Sequence, residues 1–381
     1  MPKASDLRKA KENKNDEFYT MYEDIEKEIN AYLDYDKDVF KDKVVLCPCD
    51  DPEWSNFTKY FALNFKKLGL KKLICTSYAY ESKHISAPYQ LSSFEMNSPK
   101  YDVSKTRTHG KIFSLDGDRD HSGKIDVNDF DWEYLDGDGD FRSDEIKKLR
   151  DESDIIVTNP PFSLFREFVA WIIEASKKFL IIGNINCIAY KEIFPLLMDN
   201  KVWLGTGIGR WISGFIVPDG YELYGTEARV TSDGKRIIST NSCLWLTNLD
   251  HGKRHRPLSL MTEADNIKFS KHKDIKGIGY KKYDNYNAID IPHTDAIPSD
   301  YKGYMGVPLT FMDKYCPEQF IIIGPAMGWT HSNMSDEWKK KVGYIDNVKS
   351  NAGTRGYGIV EGKQVYHRII IINKLEDENN G

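Results

Sequence analysis

Four consecutive residues, Asn159-Pro160-Pro161-Phe162, have the types and the order to do chemistry on an amine. They directly follow a short apolar run at 154–158, which predicts a buried strand. Two prolines fix φ at both positions and remove two backbone donors, and a residue that precedes proline is held extended. The sequence therefore predicts a stiff loop at the carboxyl end of a strand, presenting an amide side chain, bare carbonyl oxygens and an aromatic ring.

Such a loop suits an aromatic amine like N6 of adenine, a poor nucleophile because its lone pair is delocalised into the ring. The Asn159 side-chain oxygen and the Pro160 carbonyl can each accept one N–H, which favours a pyramidal nitrogen with its lone pair directed at a methyl donor. Phe162 can stack on the base. The alternative is a loop in which Asn159 only caps a turn and Phe162 belongs to the core. The position directly after an apolar strand favours the functional interpretation.

Alternating apolar strands and amphipathic helices surround this loop. Predicted strands cover 43–47, 73–75, 154–158, 179–182, 202–204 and 242–246, and predicted helices cover 21–33, 57–68, 164–175 and 191–198. This alternation predicts an α/β fold with a mainly parallel sheet covered by helices on both faces. Ligands in such folds bind beyond the carboxyl ends of the strands, so the loops after Cys47 and Thr158 are candidate sites.

Composition limits the class of protein. The chain has 381 residues, of which 40% are hydrophobic and 13% aromatic, enough for a substantial core. No apolar run approaches the ~20 residues that span a bilayer, and the N-terminus lacks a signal-peptide core. We therefore expect a soluble cytoplasmic protein. The six cysteines lie mostly in apolar runs, which predicts buried free thiols with neither disulfides nor a zinc site.

The net charge of −5 hides a basic segment in the last third of the chain. From about residue 251 the helical periodicity fades, and Lys and Arg outnumber acids through residue 283. We therefore predict a mobile basic tail at 1–15, a domain at 16–250 and a separate region at 251–381. Cations mixed with aromatics suit phosphate and base contacts. The candidate DNA-binding residues are Lys253, Arg254, Arg256, Lys273, Lys276, Lys281 and Lys282.

Several segments together resemble the EcoRI-type modification methylases, a family of adenine-N6 DNA methyltransferases. The resembling segments, in order, are Asp16-Glu-Phe-Tyr-Thr20, Cys49-Asp-Asp-Pro52, Gly137-Asp-Gly-Asp-Phe-Arg-Ser143, Asn159-Pro-Pro-Phe-Ser-Leu-Phe-Arg-Glu167, Lys178-Phe-Leu-Ile-Ile-Gly-Asn184 and Tyr190-Lys-Glu-Ile-Phe-Pro195. They cover the chain from residue 16 to past 200.

The resemblance implies a Rossmann-like methyltransferase sheet at 16–250, with S-adenosylmethionine above its first strands, and a mixed α+β target-recognition region at 251–381. It implies Asn159, Pro160, Pro161 and Phe162 as the catalytic corner. The implied cofactor residues are Phe18, Tyr19, Thr20, Cys47, Asp50, Asp51, Asp140 and Phe141. The loop after the first strand lacks the glycine that most such enzymes carry there, and Asp50 or Asp51 is a candidate for the cofactor's ammonium group.

The resulting hypothesis is a site-specific methyltransferase of the restriction–modification type that acts on a flipped adenine in double-stranded DNA. We expect no association with membranes and no obligate protein partner. Alternatives stay open: an RNA or protein-glutamine N-methyltransferase, or a catalytically dead DNA-binding protein with the same fold. NPPF alone does not exclude cytosine N4.

An acidic stretch at 118–129 has oxygen-bearing residues at the spacing of a calcium loop. Asp occupies its last position, where Glu is usual, and the preceding segment is not a convincing helix. The sequence leaves open whether this loop binds an ion, and we predict no metal for the site.

Overall fold

The computed structural model describes most of the chain, in two compact units. The described residues are 19–50, 55–82, 91–96, 98–125, 129–208, 212–217, 223, 228–238, 242–350 and 356–374. The first unit comprises Met1–Ile185 and Leu204–His251, and the second comprises Asn186–Trp203 and Gly252–Gly381.

An eight-stranded mixed sheet forms the centre of the first unit. Its strands are β2 (Val44–Cys47), β3 (Lys72–Ser77), β4 (Lys111–Leu115), β5 (Asp131–Tyr134), β6 (Ile155–Thr158), β7 (Lys178–Asn184), β8 (Trp203–Ile208) and β12 (Cys243–Thr247). They lie in the order β5-β4-β3-β2-β6-β7-β12-β8. The central strands β3, β2, β6 and β7 pair in parallel, whereas β4, β5 and β12 pair antiparallel. The predicted parallel arrangement therefore holds for the centre, and the edges make the sheet mixed.

A second, small sheet in this unit joins the start of the chain to a later segment. It contains β1 (Tyr19–Thr20), β9 (Phe215–Val217), β10 (Arg229–Val230) and β11 (Arg236–Ile238), in the order β1-β9-β11-β10. All its pairs are antiparallel. Sequence periodicity did not predict it, because strands of two or three residues leave no readable alternation.

The six helices in the described part of the first unit are α1 (Tyr22–Tyr35), α2 (Asn56–Leu63), α3 (Phe65–Leu68), α4 (Ser93–Met96), α5 (Asp144–Glu152) and α6 (Phe165–Glu174). Of these, α1, α2 with α3, and α6 lie close to the predicted helices at 21–33, 57–68 and 164–175, whereas α4 and α5 were not predicted. The predicted helix at 57–68 is broken between α2 and α3 at Asn64, and Gly69 ends it in the left-handed conformation at φ 62°. Helix α1 buries Ile25, Ile29 and Tyr32 at helical spacing.

Two buried carboxylates on α1, one turn apart, hold the segments that follow it in space. Glu28 accepts hydrogen bonds from the Thr206 backbone N–H at 2.7 Å, the Thr206 hydroxyl at 2.6 Å and the Gly207 N–H at 2.8 Å. Asp24 accepts from the N–H and the hydroxyl of Ser213, each at 2.8 Å. Burial raises the pKa of both carboxyls, against the opposing effect of these hydrogen bonds. Helix α1 thereby fixes the ends of β8 and of the segment that enters β9.

The second unit is built on a four-stranded sheet. The strands of the whole unit are β13 (Ala288–Asp290), β14 (Tyr304–Pro308), β15 (Phe320–Ala326), β16 (Ile359–Val360), β17 (Lys363–Gln364) and β18 (Arg368–Asn373). Its helices are α7 (Phe194–Met198), α8 (Glu263–Phe269), α9 (Thr330–Asn333) and α10 (Asp336–Lys341). The sheet order is β13-β14-β18-β15, and β16 and β17 form a separate hairpin. The centre of the sheet is apolar because Ile369, Ile370 and Ile371 of β18 are fully buried.

The cysteines and the helices can be compared with what the composition predicts. All six cysteines are free thiols, and all except Cys49 are buried, which confirms the prediction of mostly buried free thiols. Within the described ranges, no helix has the length and apolar character that a membrane crossing needs.

Candidate active site

The loops after β2 and β6 meet at one edge of the central sheet. The two strands are parallel neighbours, with Leu46 opposite Ile156. Asp50 follows β2 and is only 6% exposed. Its carboxylate accepts a hydrogen bond from the hydroxyl of Thr158, the last residue of β6, at 2.6 Å. The corner that begins at Asn159 is therefore tied directly to the first-strand loop.

The other oxygen of Asp50 is also engaged within the protein. It accepts from the Ser55 hydroxyl at 2.6 Å, and Ser55 caps the N-terminus of α2. The Asp50 backbone N–H donates to the carbonyl of Thr76 in β3 at 3.0 Å. Asp50 thus joins three strand ends and a helix. Sequence reasoning missed Ser55 and Thr158 as partners, although a serine before an apolar helical run is a recognisable capping signal.

The N-terminal Tyr19 and Thr20 lie at the same edge. The side chain of Asn56, the first residue of α2, donates to the Thr20 carbonyl at 2.8 Å. Thr20 pairs with Phe215 across β1 and β9, and the Phe162 ring meets the Phe215 ring edge-on at 6.4 Å. Thr20 of the predicted N-terminal motif and Phe162 of the Asn-Pro-Pro-Phe corner are thus both neighbours of Phe215.

The hydroxyl of Thr20 is a buried polar atom without a hydrogen-bond partner in the part of the chain that the structure describes. The residue is 2% exposed. Burying a hydroxyl without a partner costs about 1–3 kcal/mol. A polar ligand at this edge would satisfy it, so the observation fits a cofactor-binding site.

The corner itself leads from a buried strand into a helix. Thr158 is fully buried, Asn159 is half-buried and Pro160 is buried. A 3-10 turn then begins at Phe162, which is half-buried, and the Leu164 N–H donates to the Pro161 carbonyl at 3.0 Å. The prediction that this loop directly follows a buried strand is confirmed.

A glycine on the neighbouring strand sets how closely the helix after the corner can pack. A Cβ placed on Gly183 of β7 would lie 2.6 Å from the ring of Phe165, the first residue of α6. Such a distance is far inside van der Waals contact. Because Gly183 has no side chain, α6 can pack closely onto the sheet. The corner that precedes α6 is held near the sheet with it.

We expect Gly183→Ala to destabilise the protein by about 1–3 kcal/mol, because the added methyl must displace the Phe165 ring from a packed position. Denaturant unfolding of the purified variant measures this. Gly137→Ala is the matched control, since its Cβ would meet nothing closer than 3.9 Å. Equal stability of the two variants would contradict the packing argument.

The acidic turn that carries Asp140 packs on the end of β3. Gly139 has φ +85°, and a Cβ there would lie 2.5 Å from the Ser77 carbonyl oxygen. The Asp138 carbonyl accepts from the Ala79 N–H at 2.8 Å. The turn therefore needs glycine both for its conformation and for its close approach, and it places Asp140 at the carboxyl end of β3.

Asp140 is held ionised by its neighbour. The Arg142 guanidinium donates to its two carboxylate oxygens at 2.9 and 2.5 Å, and this hydrogen bonding lowers the pKa of Asp140. Burial raises the pKa of the Cys49 thiol, and the nearby carboxylates of Asp50 and Asp140 raise it further. Cys49, Asp50 and Asp140 thus share one electronegative edge.

Two further predicted cofactor residues, Cys47 and Phe141, are buried. Phe141 is 4% exposed, and its ring packs against Phe168 and Trp171 at centroid distances of 5.0 and 5.7 Å. Cys47 is fully buried in β2. Phe18 and Asp51 lie outside the described residues.

The side chain of Lys66, from α3, reaches the acidic loop that resembles a calcium site. Asp118, Asp120 and Asp129 have carboxylate oxygens within 4.8 Å of one another. The Lys66 ammonium donates to Asp118 at 2.8 Å and to the Gly123 carbonyl at 3.0 Å. A side-chain cation thus balances part of the charge that would attract an ion.

The predicted DNA-binding cations, all in the second unit, fall into two groups. Lys253 pairs with Asp313, Lys281 pairs with Glu361, and Arg254 lies over the Trp203 ring at 3.8 Å. The remaining four are exposed and have no ion pair with any described residue; they are Arg256, Lys273, Lys276 and Lys282. Of the aromatics near them, Tyr283 and Tyr286 are core residues, 6% and 3% exposed.

An α/β sheet with an Asn-Pro-Pro-Phe corner at the carboxyl end of a central strand, tied to the first-strand loop, defines the class of amino-methyltransferases. Comparison with known proteins specifies the family. Residues 6–374 match the family described as adenine-specific methyltransferase EcoRI, and the chain belongs to it. It is therefore an adenine-specific methyltransferase.

Relatives span the whole chain. The chain is 46% identical to the type II methyltransferase M.EcoRI of Escherichia coli, over 97% of this chain and 96% of the relative. It is 33% identical to the type II methyltransferase M.MpnI of Mycoplasma pneumoniae, over 96% and 97% of the two chains. The type II methyltransferase M.MgeORF184P of Mycoplasma genitalium is also 33% identical, over 96% and 98%. No solved structure matches the chain.

Proposed function

We propose that the chain is the modification enzyme of a type II restriction–modification system, acting in the cytoplasm without an obligate protein partner. It methylates N6 of an adenine in duplex DNA, with S-adenosylmethionine as the donor. The observation that carries the proposal is the contact between Asp50 and Thr158, which joins the amine-holding corner to the first-strand loop. Family membership and the names of the relatives support it.

S-adenosylmethionine fits the edge formed by the first strands. The parallel order β3-β2-β6-β7 supports a Rossmann-like core, whose ligands lie beyond the carboxyl ends of its strands. The unsatisfied hydroxyl of Thr20 and the electronegative edge at Asp50 and Asp140 suit a cationic, polar cofactor. The sulfonium supplies an electrophilic methyl group. The proposed cofactor residues are Phe18, Tyr19, Thr20, Cys47, Asp51, Asp140 and Phe141. Asp50 belongs to the same edge, and its carboxylate acts there by positioning Ser55 and Thr158.

The corner holds the adenine amine. The Asn159 side-chain oxygen and the Pro160 carbonyl each accept one N–H of the amine, which directs the nitrogen lone pair out of the ring plane. Phe162 stacks on the base, and Pro161 fixes the chain direction. No strong base is required, because the proton is acidic and leaves to water once the nitrogen is methylated. An adenine amine in a duplex is unreachable, so the base is flipped out.

The second unit supplies the contacts to DNA phosphates. We expect the triple variant Lys273→Ala, Lys276→Ala, Lys282→Ala to reduce the slope of log affinity against log salt by about three, because each phosphate contact releases about one counterion. Binding to a labelled duplex across a salt series measures this. Lys37→Ala, an exposed lysine of the first unit, is the matched control. An unchanged slope in the triple variant would remove these lysines from the interface.

The proposed substrate is tested by incubating the purified chain with methyl-labelled S-adenosylmethionine and with duplex DNA, RNA or protein in turn. We expect label in duplex DNA, recovered as N6-methyldeoxyadenosine after digestion to nucleosides. Label in RNA or in protein glutamine alone would replace the proposed substrate. Cofactor binding without transfer to any of the three would indicate a catalytically dead protein.

A further inference from the structure

Two copies of the pattern His-x-Asp lie together in the second unit. They are His272-Lys-Asp274, which follows α8, and His293-Thr-Asp295, which follows β13. The His272 ring nitrogen Nε2 lies 2.8 Å from Asp295, and the His293 Nε2 lies 3.1 Å from Asp274. Each histidine thus contacts the aspartate of the other copy. The two imidazole rings stack with centroids 3.7 Å apart and planes within 6°.

We propose that this cluster binds a divalent transition-metal ion of the Zn²⁺ type, with His272, Asp274 and His293 as ligands and Asp295 beside them. Ligand atoms of the first three residues lie within 4.8 Å of one another. Tetrahedral zinc, with bonds of about 2.0–2.2 Å to nitrogen and oxygen, needs ligand atoms about 3.4 Å apart. The cluster must therefore close by roughly 1 Å.

The charge and the donor set select the class of ion. Two neutral imidazoles and two carboxylates carry a charge that matches a divalent cation. Imidazole nitrogen suits Zn²⁺, Co²⁺, Ni²⁺ and Cu²⁺, whereas Ca²⁺ and Mg²⁺ take oxygen ligands. One cation already lies at the site, since the Lys271 ammonium is 2.6 Å from Asp295. That side chain is 75% exposed and free to withdraw, so it does not block the three ligands.

The backbone holds both segments independently of the side chains. The His272 carbonyl accepts from the N–H groups of Ile275 and Lys276 at 3.1 and 2.9 Å, in a turn after α8. The His293 carbonyl accepts from the Ala296 N–H at 3.0 Å, and the Ile291 N–H donates to the carbonyl of Gly306 in β14 at 2.9 Å. The ligands therefore lie on preformed turns, which lowers the entropic cost of assembling the site.

A bound ion would fasten the lysine-bearing turn at 271–276 to the sheet. The side chains of His272 and His293 are 18% and 37% exposed, and those of Asp274 and Asp295 are 53% and 44% exposed. Because both carboxylates are exposed, an ion can reach the cluster from solvent. This site does not depend on the methyl-transfer proposal.

The test is direct metal binding by the full chain after removal of metals with a chelator. We expect one Co²⁺ per chain, with the visible absorption of nitrogen and oxygen ligands, displaced by Zn²⁺ but not by excess Mg²⁺. Zn²⁺ should also raise the melting temperature, because an ion that binds only the folded state stabilises it. His272→Gln and His293→Gln should each weaken binding at least tenfold and abolish the melting shift.

His331→Gln is the matched control, because His331 pairs with Asp346 at 2.7 Å elsewhere in the same unit. Asp274→Asn, at a more exposed position, provides a second variant should a histidine replacement disturb folding. Binding that is absent, or equal in His293→Gln and His331→Gln, would show that the cluster is only a pair of histidine–aspartate contacts. Thiolate absorption of bound Co²⁺ would assign the ion to a cysteine and overturn the proposal.

Discussion

Asn159→Ala is expected to lower kcat for adenine methylation by about 10²–10³-fold, the loss typical of removing one preorganised polar group from a reaction centre. The alanine leaves the Pro160 carbonyl as the remaining acceptor for the amine. The nitrogen then has no second acceptor to fix its two N–H bonds, and its lone pair returns to conjugation with the ring. Single-turnover methylation of a labelled duplex measures the effect.

The fold and the cofactor site should survive this substitution. Asn159 is half-buried and follows a strand whose pairing does not involve its side chain. Calorimetry should therefore give nearly the same affinity for S-adenosylmethionine, and the melting temperature should move little. Asn30→Ala, at an exposed position of α1, is the control for loss of an amide. Full methylation by Asn159→Ala would refute the role of the corner.

The central strands could be predicted because they are apolar without interruption. Strands β2 and β6 are buried at every position, so each gives a run of apolar residues that is visible in the sequence. Strands β4 and β5 were missed. Their burial is partial, and β4 alternates between buried and half-buried residues within a polar stretch. Strands of this kind give a weak signal, because half-buried positions interrupt the run of apolar residues.

The loop Asn159-Pro-Pro-Phe162 after β6 was predictable for a related reason. In Asn159-Pro-Pro-Phe162 the two prolines restrict the backbone, and the amide and the carbonyl oxygens lie next to them. Both features come from adjacent residues and can be read in the sequence. The contact of Asp50 with Thr158 was not predictable, because the two residues are 108 positions apart in the sequence. Threonine at the end of an apolar strand is ordinary, and only the pairing of β2 with β6 brings its hydroxyl to the carboxylate.

Asp50→Ala is expected to destabilise the protein by about 2–4 kcal/mol, because it leaves the buried hydroxyls of Ser55 and Thr158 without their acceptor. Methylation should fall by about 10²-fold, since a displacement near 1 Å of a positioning group has this effect. Urea unfolding and steady-state kinetics measure the two losses. Asp34→Ala, exposed on α1, is the matched control.

Variants at Thr158 separate two roles for Asp50. Thr158→Val removes the hydroxyl at nearly constant shape and leaves the carboxylate in place, whereas Thr158→Ser keeps the donor. If Asp50 positions the corner, Thr158→Val lowers kcat, Thr158→Ser restores it, and the affinity for S-adenosylmethionine stays near that of the parent. If instead the carboxylate mainly binds the cofactor's ammonium group, Asp50→Ala raises the cofactor KM while Thr158→Val leaves kcat unchanged. The first pattern is expected, because both carboxylate oxygens already accept hydrogen bonds from hydroxyls that lie on different elements of the fold.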